Sequence, residues 1–182
     1  MDELVDRLDE EGNYTGQTIL KSDAHRQGIF HPTVHIWLYT NQGEVLMQRR
    51  GKFKVTYPLL WDVSVAGHIG AGEDIYDAAL REVKEEIGLT ILKEDLTKIG
   101  VFKSIQEHSE NLIDNEFHHT FLCELKAPFG SLKKQNSEVE ALTMIPLIQF
   151  AEEVWGLANT ARYVPHSTEY YKTIIKSIKG RL

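Results

Sequence analysis

Three glutamates, Glu82, Glu85 and Glu86, stand at i, i+3 and i+4 of a stretch with helical patterning. At about 100° per residue they fall within one arc, so three carboxylates share one patch of surface. Like charges that close repel and raise one another's pKa, which a merely structural helix avoids by alternating signs along a face. Divalent cations remove the repulsion. Carboxylate oxygens are favoured ligands of Mg²⁺ and Mn²⁺, and Mg²⁺ is commonly shared between a few carboxylates and the phosphates of a substrate. Spacing alone is equally compatible with a solvated acidic face.

The element that must hold these groups is a helix over 74–87, with Tyr76, Ala79, Leu80, Val83 and Ile87 on an apolar arc and Gly88 placed to end it. A strand over 61–69 leads into it through a loop marked by Gly67, Gly70 and Gly72. Upstream, the pattern predicts a hairpin of 4–8 into 17–20, then a short helical turn capped by Ser22 or Asp23 and reaching His25. An antiparallel pair, 33–40 with 44–49, is joined by the turn Asn41-Gln42-Gly43. Downstream, strands are predicted over 98–105, 116–125 and 139–145, and helices over 147–155 and 167–178. No repeat or linker interrupts them, so residues 1–182 are read as a single layered domain of α+β or α/β type.

Among 182 residues, 20 basic and 27 acidic side chains leave a formal net charge of −7. An acidic chain lacks the positive field that attracts polyanions, which argues against nucleic acid or a membrane surface as partner. An anionic ligand must therefore be met by a local basic patch or by cations. The single cysteine, Cys123, builds neither a disulfide framework nor a multi-cysteine zinc site and is read as a small core residue. No segment approaches the roughly 20 apolar residues of a membrane span, and the acidic start differs from a secretory signal, so a cytoplasmic location is expected.

The residues around the acidic patch are more specific than its charge. Gly67, Glu73, Arg81, Glu82, Val83, Glu85, Glu86, Gly88 and Leu89 stand at the fixed positions of a signature, and the span 67–89 resembles the Nudix box in all of them. The resemblance implies an α/β/α sandwich, a mixed sheet between helices, with the box as a loop-helix-loop. It implies a metal-dependent hydrolase, a diphosphatase acting on phosphorus acid anhydrides, with Mg²⁺ or Mn²⁺ as cofactor. Position by position, Glu82, Glu85 and Glu86 resemble the metal-binding glutamates, and Glu73 and Arg81 resemble the ion pair that orients their helix. Gly67 then supplies a close backbone approach and a carbonyl ligand. For the proton of the attacking water, Glu82, Glu107 and Glu110 are candidates.

The flanks of the box resemble one branch of the superfamily, the isopentenyl-diphosphate isomerases and their hydrolase-like relatives. The similarity runs from about Val5 to Trp155 and includes Gly12, the run Leu46 to Arg50, Pro58 to Trp61, and Asn115-Glu116. In the isomerases, histidines resembling His25, His31 and His68, with carboxylates resembling Asp114 and Glu116, enclose a metal, which implies a second metal site here. Their proton-transferring cysteine lies two residues before the histidine that resembles His68, and in this chain that position is Ala66. Alanine exchanges no proton, so hydrolysis is the favoured reading and isomerisation the alternative, with a non-catalytic diphosphate sensor as a third.

Arg49, Arg50 and Lys54 form a basic run suited to clamping a substrate phosphate, or to a solvated loop. His35 alternates with Val34 and Ile36 and reads as a strand residue, while His118 and His119 must point to opposite faces of their strand. Trp37, Trp61 and Trp155 are read as core residues rather than stacking platforms. The expected partner is a small-molecule diphosphate, a nucleoside diphosphate derivative by default; the assembly is left open to a homodimer.

Overall fold

The computed structural model describes residues 2–155 and 160–182. Strands β1 (Leu4–Leu8) and β2 (Tyr14–Leu20) form a separate hairpin, and a short helix α1 (Lys21–Gln27) follows. The main sheet is built by β3 (His31–Tyr39), β4 (Glu44–Arg50), β5 (Trp61–Asp62), β6 (Val65–His68), β7 (Leu96–Ser109), β8 (Leu112–Glu124) and β9 (Val139–Pro146). Its path is β5-β4-β3-β8-β7, with β6 paired to β3 and β9 to β4. Strands β3 and β8 run parallel and the other strand pairs among the described residues antiparallel, so the sheet is mixed. Helix α2 (Ile75–Ile87) covers one face, and α3 (Leu147–Val154) with α4 (Thr168–Lys179) covers the other, an α+β sandwich.

Strand periodicity explains both layers. Along β3, Val34, Ile36 and Leu38 pack with Ala79, Val83 and Ile87 of α2, while Trp37 and Tyr39 pack with Phe150 and the tyrosines and isoleucines of α4. The residues that precede Trp37 on its own face are His31, Thr33 and His35, all buried. One face of one strand thus passes from polar to apolar, and the packed core begins at Trp37.

Three local expectations are corrected. The predicted antiparallel pair of 33–40 with 44–49 touches in register only at Tyr39 and Val45; beyond that point β3 and β4 splay apart. The predicted strand 61–69 fills the opening as two pieces, β5 on β4 and β6 on β3. Ser64, between them, supplies the missing ladder contacts: its Oγ accepts from the Leu38 backbone N–H at 2.9 Å and donates to the Leu46 carbonyl at 2.5 Å. Finally, α1 is not capped by Ser22 or Asp23. Its N-cap is Leu20, because Ser22 Oγ donates to Asp2 and the Asp23 carboxylate accepts from Arg26.

Strands β7 and β8 extend beyond 98–105 and 116–125 into a long hairpin whose end carries His108 and Asp114. Trp37 is fully buried as expected, Trp61 packs against the core, and Trp155 is 47% exposed. Cys123 is buried, and burial raises its thiol pKa to about 11.

Candidate active site

The acidic helix begins at Asp74, whose carboxylate accepts from the backbone N–H groups of Tyr76 and Asp77, and ends at Gly88 in the left-handed conformation. Arg81 is its organising cation. Nε and Nη2 reach the two oxygens of Glu73 at 2.9 Å each, a forked pair, while Nη1 lies 2.6 Å from Glu82 Oε1 and 3.3 Å from Glu85 Oε2. Glu73 also accepts from the Gly70 N–H at 2.8 Å, so the loop and helix are tied at one carboxylate. Arg81 holds the Glu73 carboxyl below its ordinary range.

The three glutamates differ in setting. Glu85 has a side chain 54% exposed, Glu82 is half-buried, and Glu86 is only 5% exposed. Glu86 Oε2 accepts from Gln48 Nε2 at 2.6 Å and from the Ala66 N–H at 3.4 Å. Burial, little relieved by those bonds, pushes its pKa up to about 8, and burial also raises that of Glu82 against the pull of Arg81. Gly67 lies over this patch, and any Cβ there would overlap the Glu82 carboxylate. The Glu82 carboxylate occupies the space that a side chain at this position would take.

Among the described residues, no strand lies beside the outer edge of β6. Its Ala66 N–H goes to Glu86 and its His68 carbonyl accepts from Arg81 Nη2 at 3.0 Å, so side chains of α2 take the place of a neighbouring strand.

A second cluster lies across β6. The parallel register pairs His31 with Glu116 and Thr33 with His118, and the antiparallel register pairs Thr33 with His68 and His35 with Ala66. These side chains therefore share one face. His25 of α1 completes the group: ligand-type atoms of His25, His31, His68 and Glu116 all lie within 4.8 Å of one another. His25 Nε2 is 3.2 Å from His68 Nε2, and the Nε2 atoms of His31 and His68 are each 3.5 Å from Glu116 Oε1. His31 Nδ1 is engaged by the Ile29 carbonyl at 2.8 Å, which leaves its buried Nε2 without a hydrogen-bond partner and turned into the cluster.

That is a donor set for a cation: imidazole nitrogens and one carboxylate with the outer ring nitrogen anchored on backbone. Burial pushes the Glu116 carboxyl up, but the imidazoles of His31 and His68 outweigh it and hold the group well below its ordinary range. Burial lowers His68 to about 4 despite Glu116. Asp114 is not among the converging atoms. It stands behind His25, with Oδ1 2.7 Å from His25 Nδ1, and its Oδ2 is 2.9 Å from His108 Nε2.

Both clusters line one cavity of about 730 Å³ that also reaches Arg50, Lys54, Asp62, His118 and His166. Arg50 and Lys54 are already engaged: Arg50 bonds the Asp62 carboxylate at 3.0 Å and both oxygens of Thr56, and Lys54 pairs with Glu138. Arg49 does not line the cavity. Strand alternation turns it away, and its Nε donates to the Leu59 carbonyl at 3.0 Å, so it is removed from the phosphate-contact set. The same alternation puts Glu107 on the outer side of β7, while Ser104 and Gln106 face the cavity; Glu110 sits at the exposed hairpin turn. Neither glutamate is placed to meet the attacking water.

Residue spacing gave no sign of Gln48, Glu138 or the pair Asp62 and His166. Each joins segments far apart in the chain; the one available signal was the alternation of Gln48 with Arg50 on β4.

The NUDIX domain family profile matches residues 29–165. An uncharacterized Nudix hydrolase of Clostridium acetobutylicum is 32% identical, with 97% of each chain covered. An isopentenyl-diphosphate Delta-isomerase of Photorhabdus laumondii is 31% identical over 85% of this chain and 87% of its own. A Deinococcus radiodurans crystal structure has the same fold, with a TM-score of 0.67 at 22% identity, covering 88% of this chain and 98% of that one. Enzymes of this family generally use divalent metal ions, and the donor sets described above fit such ions. The chain belongs to the Nudix family, in the branch that also holds the isopentenyl-diphosphate isomerases.

Proposed function

We propose that this protein is a Mg²⁺- or Mn²⁺-dependent hydrolase of a diphosphate linkage in a small phosphorylated compound, a nucleoside diphosphate derivative by default. The observation that carries the reading is the complete acidic patch, with Gly67 giving way to Glu82 and a buried, partly neutralised Glu86 opening on the cavity. Glu82, Glu85, Glu86 and the Gly67 carbonyl are the groups that would hold the cation, with His25, His31, His68 and Glu116 as a second site. Such a cation, when bound, supplies charge neutralisation for phosphoryl oxygens and acidifies water.

The chain's own groups do the rest. Arg81 and Glu73 fix the helix against the loop, so the carboxylates are held in place before substrate arrives. Lys54 and Arg50 put positive charge on the opposite wall. Glu82, whose pKa is raised by burial, is the carboxylate that takes the water's proton, since Glu107 and Glu110 stand elsewhere.

A second reading, isomerisation of isopentenyl diphosphate, is favoured by the histidine cluster and the relative from Photorhabdus laumondii. The methyl group of Ala66 on the cavity wall argues against it, because it offers no proton where the isomerases carry a thiol. The test is a metal-dependent screen over nucleotide, sugar-nucleotide, prenyl and thiamine diphosphates, read by mass, with deuterium incorporation followed for isopentenyl diphosphate. Phosphate or phosphomonoester release that requires Mg²⁺ or Mn²⁺ is expected. Label entering carbon without phosphate release would replace hydrolysis with isomerisation, and silence across the panel would favour a sensor.

A further inference from the structure

Past Glu116 the cavity floor carries buried polar groups that diphosphate chemistry leaves unused. His118 is 4% exposed, and its Nδ1 lies 2.7 Å from Thr33 Oγ1 and 3.6 Å from Glu116 Oε2. Its Nε2 is buried and has no hydrogen-bond partner. The ring is held rigidly: His35 stacks on it with centroids 3.9 Å apart and planes 16° apart, and His166 meets it edge-on at 5.9 Å. His35 is fixed by Tyr170, whose hydroxyl is 2.7 Å from His35 Nδ1 and accepts from Trp37 Nε1 at 2.9 Å. His166 is fixed by Asp62 at 2.9 Å, and Asp62 by Arg50.

Such a frame is costly to bury unless something completes it. An unmatched polar atom costs the full desolvation of that group, whereas a matched one recovers it. Thr33, Tyr170, Asp62 and Arg50 each meet a partner in this frame, and His118 Nε2 is a buried atom in it without a hydrogen bond. A prenyl chain would leave it unpaired. A second anionic group would meet the carboxylates of Asp62 and Glu116. A planar base would have to stack on the one His118 face that His35 leaves uncovered. A hydroxyl both donates and accepts, so it satisfies Nε2 whichever ring nitrogen carries the proton.

We propose that the floor formed by Thr33, His35, His118, Asp62 and His166 is a recognition subsite for a hydroxyl-bearing substituent of the diphosphate, of the pentose or polyol kind, with His118 Nε2 as the contact atom. This rests on the hydrolase reading and narrows its substrate. His35, His166 and Asp62 are positioning residues that keep the His118 edge turned to the ligand.

Two five-carbon compounds of similar size test it, ribose 5-diphosphate and dimethylallyl diphosphate. The wild type is expected to favour the first in kcat/KM by at least about 100-fold, since sites built for a hydroxyl strongly reject analogues without one. His118→Leu should bring the ratio to within about threefold, and His118→Gln, which restores a polar group near Nε2, should recover part of it. Should His118→Leu fail to fold by thermal melting, Thr33→Val serves instead and should reduce the ratio about tenfold. Equal use of both compounds by the wild type, or an unchanged ratio in a folded His118→Leu protein, overturns the subsite while leaving hydrolysis standing. If neither compound is cleaved with Mg²⁺, calorimetric binding to the same protein separates the two claims. Tighter binding of ribose 5-diphosphate, lost in His118→Leu, keeps the subsite without the hydrolase; equal binding sinks it.

Discussion

The carboxylates of α2 and the histidine cluster lie on opposite sides of β6, and they are assembled differently. The α2 groups come from one helical turn and a half, so local geometry alone brings them together, and one guanidinium, Arg81, balances three of the nearby glutamates. The histidine cluster takes His25 from α1, His31 from β3, His68 from β6 and Glu116 from β8. Only a complete sheet with the correct register makes it, and its charge is balanced within the cluster. A group built locally can be edited one residue at a time; one built by register fails or survives with the sheet.

The difference can be broken or sharpened by substitution. The largest effect is expected at the helix: Glu85→Gln or Glu86→Gln should lower turnover at least roughly 100-fold with the far-ultraviolet dichroism unchanged, because each removes charge aimed at the cation. Unchanged activity in both would cancel their assignment. Next, Gly67→Ala should cost about tenfold or more in turnover with little loss of stability, since its methyl would displace the Glu82 carboxylate. Steady-state kinetics and chemical denaturation would check both.

On the cluster side, His25→Ala is expected to slow hydrolysis by less than about tenfold while lowering the affinity for Mn²⁺, measured by calorimetry. A loss equal to that of Glu85→Gln would merge the two groups into one catalytic unit.

Glu86 also gives a pH test on metal-free protein. Its folded pKa, about 8, lies above the ordinary value near 4.5. The folded state therefore binds the proton more tightly, so this contribution is full below about pH 4.5 and is lost as pH rises through about 8, on the order of 5 kcal/mol in all. Metal-free Glu86→Gln should melt above the wild type at pH 9 and close to it at pH 5. Identical melting at both would mean the carboxyl is better solvated than its surroundings imply. The smallest effect is expected for Arg49→Ala, within about twofold in kcat/KM, because the side chain points away from the cavity.

Much of this is legible in the amino-acid sequence. Helical spacing placed Glu82, Glu85 and Glu86 together because their separation is local, and Gly88 marked the helix end through its left-handed backbone. Spacing could not bring His25 to Glu116; that came through resemblance. The break in 61–69 was invisible because Val63 and Val65 read as one alternating strand, while the partner switch is set by the Ser64 hydroxyl bonding two other strands. Alternation puts His118 and His119 on opposite faces but does not bring His118 to His35 and His166, which belong to β3 and to the segment before α4. Arg49 and Arg50 looked alike as adjacent charges, and strand alternation sends them to opposite sides.

The parting of β3 from β4 has a consequence for the shape of any bound molecule. β5 and β6 occupy the gap, and one cavity is bordered both by the carboxylates of α2 and by His35, His118 and His166. A guest spanning that cavity would meet both groups at once, so a change in the seating of β6 would act on both ends of the bound molecule.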